Sequence, residues 1–333
     1  MFKNLLIYRL NDDFAADLTA AEQALAQMPF APCGKTQDKS SGWVAPRGQE
    51  HGPLVESIHG QWMLRFVTQS KILPASVVQA HVDEKVQAIE QETGRKPGKK
   101  ERQSLKDEAR LDLLPLAFTK TQGNWVWLDR LNGWLVIDAS AQGRGDEIIT
   151  ALVEHLPGLA PRLLQTQEAP GTAMAQWLAE QQAPAGFALG DECELKATDD
   201  TRAVVRYARH ALEIDEIRQH IEKGKRPTRL ALAWGDRAFF VLSEALQIKK
   251  LTFAEAVFSE KTETDEQFDA DVAITTGELA LLLPELVESL GGYMDGVGGP
   301  GAAAKAPPAP VSAPASRPQQ EPVAEADNDS PPW

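Results

Sequence analysis

Cysteine is nearly absent. Cys33 and Cys193 are the only two in 333 residues, too few for a disulfide framework or an all-cysteine zinc site. A reduced, cytoplasmic protein is the expectation. No apolar run approaches the roughly 18 residues of a membrane-spanning helix, which excludes an integral helical membrane protein. The opening apolar stretch around Leu5–Tyr8 is too short for a secretory leader, and no small-residue cleavage site follows it. The six histidines (His51, His59, His81, His155, His210 and His220) show neither HxH nor HxxxH spacing, and no serine sits in a GxSxG setting. Cys33-Gly34-Lys35-Thr36 imitates the end of a phosphate loop, but Pro29 stands where that loop needs its first glycine. No catalytic constellation emerges, so the expectation is a non-enzyme without metal or cofactor.

Positive charge is also in deficit. There are 34 Lys and Arg against 48 Asp and Glu, a net charge of −14. A uniformly acidic surface repels nucleic acid. If this chain binds DNA, its basic residues must gather on one surface while the acids face elsewhere.

What is present reads as an α+β protein, because strands and helices do not alternate strictly. Strands are expected at Phe2–Leu10, Gln61–Thr68, Cys193–Lys196, Ala203–Tyr207 and Phe268–Ile274. Asn132-Gly133 marks a hairpin between Trp125–Leu128 and Trp134–Asp138, and Gly235-Asp236 marks another between Arg229–Trp234 and Ala238–Leu242. Trp125 and Trp127 then share a face and belong to core or interface. Helices are expected at Ala16–Met28, Asp146–His155, Ala173–Glu180, Ile214–Glu222 and Glu278–Leu290. Thr275 and Glu278 are spaced as a capping box for the last of these, and Leu279, Leu282, Leu286 and Leu290 form its buried stripe. Asp269 and Asp271, two apart on an expected strand, read as a solvated edge.

Two helices stand apart. Ser76–Thr93 has a narrow stripe of Val78, Val82, Val86 and Ile89. Lys100–Leu114 repeats Leu105, Ala109 and Leu113. The Gly94–Lys99 turn between them makes an antiparallel hairpin, expected to project from the body. Arg95 to Arg110 holds seven basic residues against three acids. A second basic stretch, Thr201–Leu230, holds eight against four. The division is therefore 1–74 and 115–292 as a body, 75–114 as a basic hairpin, and 293–333 as a tail. Pro300–Trp333 contains nine of the 22 prolines and too few branched apolar residues to offset its ordering entropy, so it reads as disordered. Its end, with Asp327 and Asp329 before Trp333, has the carboxylate-plus-aromatic character of partner-docking tips. An acidic interaction scaffold working through that tail is the rival reading.

Several separated motifs resemble, in order, the RdgC family of recombination-associated proteins. They are Met1-Phe-Lys-Asn-Leu-Leu-Ile-Tyr-Arg-Leu10, Phe30-Ala-Pro-Cys-Gly34, Gly42-Trp-Val-Ala-Pro46, Lys71-Ile-Leu-Pro74, Ser104-Leu-Lys-Asp-Glu108, Leu113-Leu-Pro115 with Ala117-Phe118, and Thr276-Gly-Glu-Leu-Ala280. The resemblance implies a non-enzymatic, nucleoid-associated protein that binds double-stranded and single-stranded DNA with little sequence preference. It implies a homodimer closed into a ring with a positive inner surface, restraining the recombinase of homologous recombination. By the same resemblance, Phe118 lies at a dimer contact. Lys120, the pair Arg209 and His210, and the finger residues Arg95, Lys96, Lys99 and Lys100 face DNA. A ring also answers the charge problem, with bases inside and acids outside.

Overall fold

The computed structural model describes residues 1–15, 17–257 and 265–294. In chain order the elements are β1 (Leu5–Arg9), α1 (Leu18–Leu25), β2 (Lys39–Val44), β3 (Glu56–Ile58), β4 (Gln61–Lys71), α2 (Ala75–Thr93), α3 (Lys99–Leu113), β5 (Thr119–Asp129), β6 (Trp134–Asp138) and α4 (Gln142–His155). There follow β7 (Arg162–Leu163), α5 (Pro170–Glu180), β8 (Phe187–Ala197), β9 (Val204–Ala208), α6 (Asp215–Glu222), β10 (Lys225–Trp234), β11 (Ala238–Ser243), β12 (Ile248–Phe253) and α7 (Asp265–Ser289). The architecture is α+β, as its sequence implies.

The strands form one sheet in the order β2-β4-β5-β6-β1-β12-β11-β10-β8-β9, with β3 added to β4 and β7 to β1. Its named strand pairs are all antiparallel. The two halves meet at β1 and β12, where Leu5 faces Ile248 and the Leu251 amide donates to the Lys3 carbonyl at 2.9 Å.

Alternation sorts the first half of the sheet into two buried faces. Leu6, Tyr8, Leu64, Phe66, Val126, Leu128, Leu135 and Ile137 pack under α1 and α4 through Leu25, Ile148 and Leu152. Leu5, Ile7, Met63, Trp127, Trp134 and Val136 face the other way, into a core shared with α5 and α7. The second half contributes Leu195, Leu230, Leu232, Phe240, Leu242 and Ile248 to that same core. Its opposite face carries Glu194, Lys196, Arg206, Arg229 and Phe239 and holds no apolar cluster among the described residues.

The β5–β6 turn follows from its residues. Asp129 accepts the amides of Leu131 and Asn132 at 3.1 and 3.0 Å and the Asn132 side chain at 2.7 Å. Gly133 has φ +69°, and a Cβ there would stand 2.7 Å from Arg9 Nη2. The Asn-Gly hairpin is thus as the sequence implies, and Trp127 and Trp134 are fully buried.

The end of the chain departs from expectation. Phe268–Ile274 is helix, not strand: α7 runs unbroken from Asp265 to Ser289 through Pro284. Thr275 therefore sits inside the helix, where it caps nothing, and Asp269 and Asp271 turn to different sides of it. Asp269 is ion-paired with Arg47. The apolar groups of 268–274 bury against Trp125 and the core, and short apolar runs of this kind do not distinguish strand from buried helix. Leu279, Leu282, Leu286 and Leu290 are all buried.

Candidate nucleic-acid interface

β4 and β5 are both 11 residues long, whereas β6 pairs only with Val126–Asp129 of β5. The first part of β5 consequently runs past the body with only β4, and β2 beyond it, at its side. All five residues Thr119–Gly123 are exposed. The register sets Lys39 opposite Ser70 and Ser70 opposite Lys120. Directly opposed residues share a face, so the two lysines stand in one row about 10 Å apart, two strand spacings. Lys71, opposite Thr119, points to the other face. The segments 39–42, 68–71 and 119–123 contain three lysines and no carboxylate. Lys39 is held by Glu147 at 2.7 Å; Lys71 and Lys120 make no ion pair among the described residues.

Phe118 immediately precedes this ribbon. It is 84% exposed and Leu116 79%, with Leu111 and Ile72 also exposed nearby in the chain path. A core role for Phe118 is thereby excluded within one chain.

α2 and α3 pack through a small core of their own: Val78, Val82, Val86 and Ala109, flanked by Leu73, Leu105 and Leu113. Gly94 (φ +69°) ends α2 in the left-handed region, which glycine adopts without steric cost. Lys85 bridges to Asp112 at 2.7 Å and Glu108 at 3.3 Å, fixing the antiparallel pairing. The four cations at the turn are not equivalent. Arg95 forks onto Glu101 at 2.9 and 3.2 Å, which raises the guanidinium above and lowers the carboxylate below its ordinary pKa. Lys96 lies 3.6 Å from Glu90. Lys99 and Lys100 are exposed and make no ion pair among the described residues.

Arg209 and His210 follow β9. Arg209 is exposed, with φ +55°. The His210 amide donates to the Asp191 carbonyl at 3.1 Å, and its ring lies 5.9 Å from that of Tyr207. From β5 to β9 is seven strand spacings along the sheet, roughly 34 Å. The fold therefore does not gather Lys120 with Arg209 and His210 into one contact patch. In the sheet register, however, both lie toward the same side of it. Asp327, Asp329 and Trp333 lie outside the described residues. The last described residues, Tyr293 and Met294, are attached to the body: the Tyr293 ring sits 6.1 Å from Trp134 and 5.2 Å from the Arg9 guanidinium.

Lys39, Lys71, Leu116 and Ile72 escape a reading based on local charge counts. A signal for the lysines exists in the sequence: Lys-Ser-Ser-Gly, Thr-Gln-Ser-Lys and Thr-Lys-Thr-Gln-Gly are polar, acid-free and strand-compatible, but only pairing places them side by side. Among the described residues no helix is long and apolar enough to cross a membrane, and no group of three or more His, Cys, Asp or Glu could hold a metal ion.

Fold and surface together define an α+β protein with a mostly antiparallel sheet, seven helices among the described residues, and a polar, lysine-bearing strand extension beside exposed apolar side chains. The chain belongs to the RdgC family. Residues 1–293 match the family model described as "Putative exonuclease, RdgC". Three relatives, each named recombination-associated protein RdgC, come from Dechloromonas aromatica (43% identical, over 87% of this chain and 97% of that protein), Janthinobacterium sp. strain Marseille (41%, 88% and 99%) and Herminiimonas arsenicoxydans (42%, 87% and 98%). The two descriptions differ on catalysis. The family's names an exonuclease, while the relatives' name an association with recombination and no enzymatic activity.

Proposed function

We propose that this chain is a sequence-independent DNA-binding protein that acts as a homodimeric ring around duplex DNA and restrains recombinase-driven homologous recombination. It works as a nucleoid-associated, cytoplasmic protein by occupancy, not by catalysis. The observation that carries this reading is the acid-free ribbon of β2, β4 and β5. In a chain with net charge −14, it sets Lys39 and Lys120 in one exposed row and Lys71 on the reverse side. A backbone phosphate gains charge-assisted hydrogen bonds there, directly from Lys120 and from Lys39 once it releases Glu147 of α4. The charge on the ribbon comes from lysines, point charges that hold phosphates and leave the bases unread.

Lys99, Lys100 and Arg209, which make no ion pair among the described residues, add cations that engage phosphate. Arg95 and Lys96 reach it by exchanging exposed intramolecular pairs with Glu101 and Glu90, which solvent screens and which are therefore weak. Phe118 and Leu116 supply the apolar contact that closes one protomer on another. Duplex held inside the ring is withheld from the recombinase, and single strands bind the same phosphate-holding surface.

The test is a gel shift of the full chain on linear and covalently closed circular duplex of one sequence, across a salt series. A topological ring retains circles at salt concentrations that release linear DNA by sliding off the ends. Equal salt sensitivity on both forms overturns the ring, and binding that does not weaken with salt overturns the phosphate mode.

A further inference from the structure

We propose that the cleft between the end of β4 and α3 is a receptor for a single unstacked deoxynucleotide. The inference rests on the DNA-binding reading above and adds a ligand site to it. The cleft measures about 510 Å³, within the roughly 300–1,000 Å³ that small-ligand sites span. Lys71 stands on one wall and Lys106 on the other; neither makes an ion pair among the described residues. Between them lie Leu73, Ala75 and Val78, of which Val78 is buried in the core of the helical hairpin. Gln103 and Asp107 complete the α3 wall, with Gln103 Nε2 donating to Asp107 Oδ1 at 3.2 Å.

These groups match the parts of one nucleotide. Lys71 and Lys106, without an ion pair among the described residues, offer two ammonium groups to a phosphate, and the aliphatic side chains accept the face of a base. A carboxylate and an amide accept and donate at its Watson–Crick edge. In a duplex that edge is already paired, so only an unstacked base can enter. Arg110 is already held by Asp38 at 3.0 Å, which leaves the phosphate to Lys71 and Lys106. Lys71 belongs to both the cleft and the ribbon, on the face of the ribbon opposite Lys39 and Lys120.

The test uses the full chain and two labelled duplexes of the same sequence, one blunt and one with a short single-stranded overhang, plus deoxycytidine monophosphate alone. Gln103→Trp fills the cleft from an exposed helical position without changing charge; Lys106→Gln removes one phosphate partner. Each variant is expected to raise Kd for the overhang duplex about tenfold and to change the blunt duplex by less than about twofold. Deoxycytidine monophosphate should saturate the wild type at one site per chain by calorimetry and fail to do so with Gln103→Trp. Equal weakening on both duplexes, or an unchanged overhang affinity together with no saturable mononucleotide binding, overturns the cleft. Loss of the DNA-binding reading is distinct: the wild type then binds neither duplex, while the mononucleotide titration still reports on the cleft.

Discussion

Ile72 and Phe118 are joined through their backbones, the Ile72 amide donating to the Phe118 carbonyl at 2.7 Å, while the Phe118 ring itself stands in solvent. The chain thus closes the base of the helical hairpin with main-chain atoms and leaves the aromatic side chain for something else. Phe118→Ala should change the urea midpoint of the folded chain by no more than surface substitutions do, about 0.5 kcal/mol. The same variant should weaken self-association by more than tenfold, the effect of removing an aromatic anchor worth about 2 kcal/mol. Sedimentation equilibrium beside a urea melt checks both. A self-association constant that stays put removes Phe118 from any interface.

The cations differ in how much they have to give. Among the described residues Lys120 has no ion-pair partner to leave, whereas Arg95 must release Glu101. Each lysine that neutralises a phosphate contributes about 0.9 to the slope of log K against log salt. Lys120→Gln should therefore lower that slope by about one, with similar losses on unrelated duplexes. Arg95→Gln should lower it less, because part of its charge is already met within the hairpin. Fluorescence anisotropy across a salt series separates the two, and an Arg95 variant that costs more than the Lys120 variant contradicts this ranking.

The fold was legible where local signals and burial agree. Asn132-Gly133 forms its hairpin because the turn needs positive φ at Gly133, and Val78, Val82 and Val86 find Ala109 because helical spacing puts them on one stripe. Phe268–Ile274 misled, since a short apolar run satisfies a strand or a buried helix equally and only packing against Trp125 decides. The site was legible in charge and not in position. Counting Lys and Arg finds the hairpin turn, but nothing local says that Arg95 is committed to Glu101 or that Lys39 and Lys120 flank Ser70. Strand pairing between residues 31 and 50 positions apart creates that row.

Arg9 is a buried cation, 3% exposed, lying 4.4 Å from the Trp134 ring and 5.2 Å from that of Tyr293, with Nη1 donating to the Asn132 carbonyl at 2.7 Å. Burial pulls its pKa below the ordinary value, with the Tyr293 hydroxyl, Asp12 and Asp129 acting against that. Arg9→Met keeps the apolar stem and removes the charge and its donors. Buried Asp129 then loses a compensating cation and the turn carbonyl loses a donor, so the variant should be about 2–4 kcal/mol less stable. A urea melt within 0.5 kcal/mol of wild type, about the size of an ordinary surface change, rules this account out.

Glu194 ties two strands to one carboxylate. It accepts from the Thr228 hydroxyl at 2.8 Å and from Arg206 Nε at 2.6 Å, and these contacts hold its pKa below the ordinary 4.5. Because the folded value is the lower one, the contribution is present above pH 4.5 and is lost as pH falls from there through the folded value. Glu194→Gln should be less stable than wild type at neutral pH, and the gap should close as pH drops through that window. A gap independent of pH assigns the effect to shape or hydrogen bonding alone.

The two thiols provide an internal check on the sheet. Cys193 is buried in the shared core on β8, and burial, with Glu192 nearby, pushes its thiol up to about 12. Thiolate is the reactive form, so Cys193 is protected twice, by access and by protonation. Cys33 is half-buried in a loop, its Sγ 3.1 Å from the Gln69 carbonyl. Iodoacetamide applied to the native chain at mildly alkaline pH should therefore label Cys33 alone, and Cys193 should react only after denaturation. Peptide mass mapping reads the outcome directly. Native labelling of Cys193 at a rate like that of Cys33 means that the β8–β10 pairing opens far more readily than a core of Leu195, Leu230 and Leu232 permits.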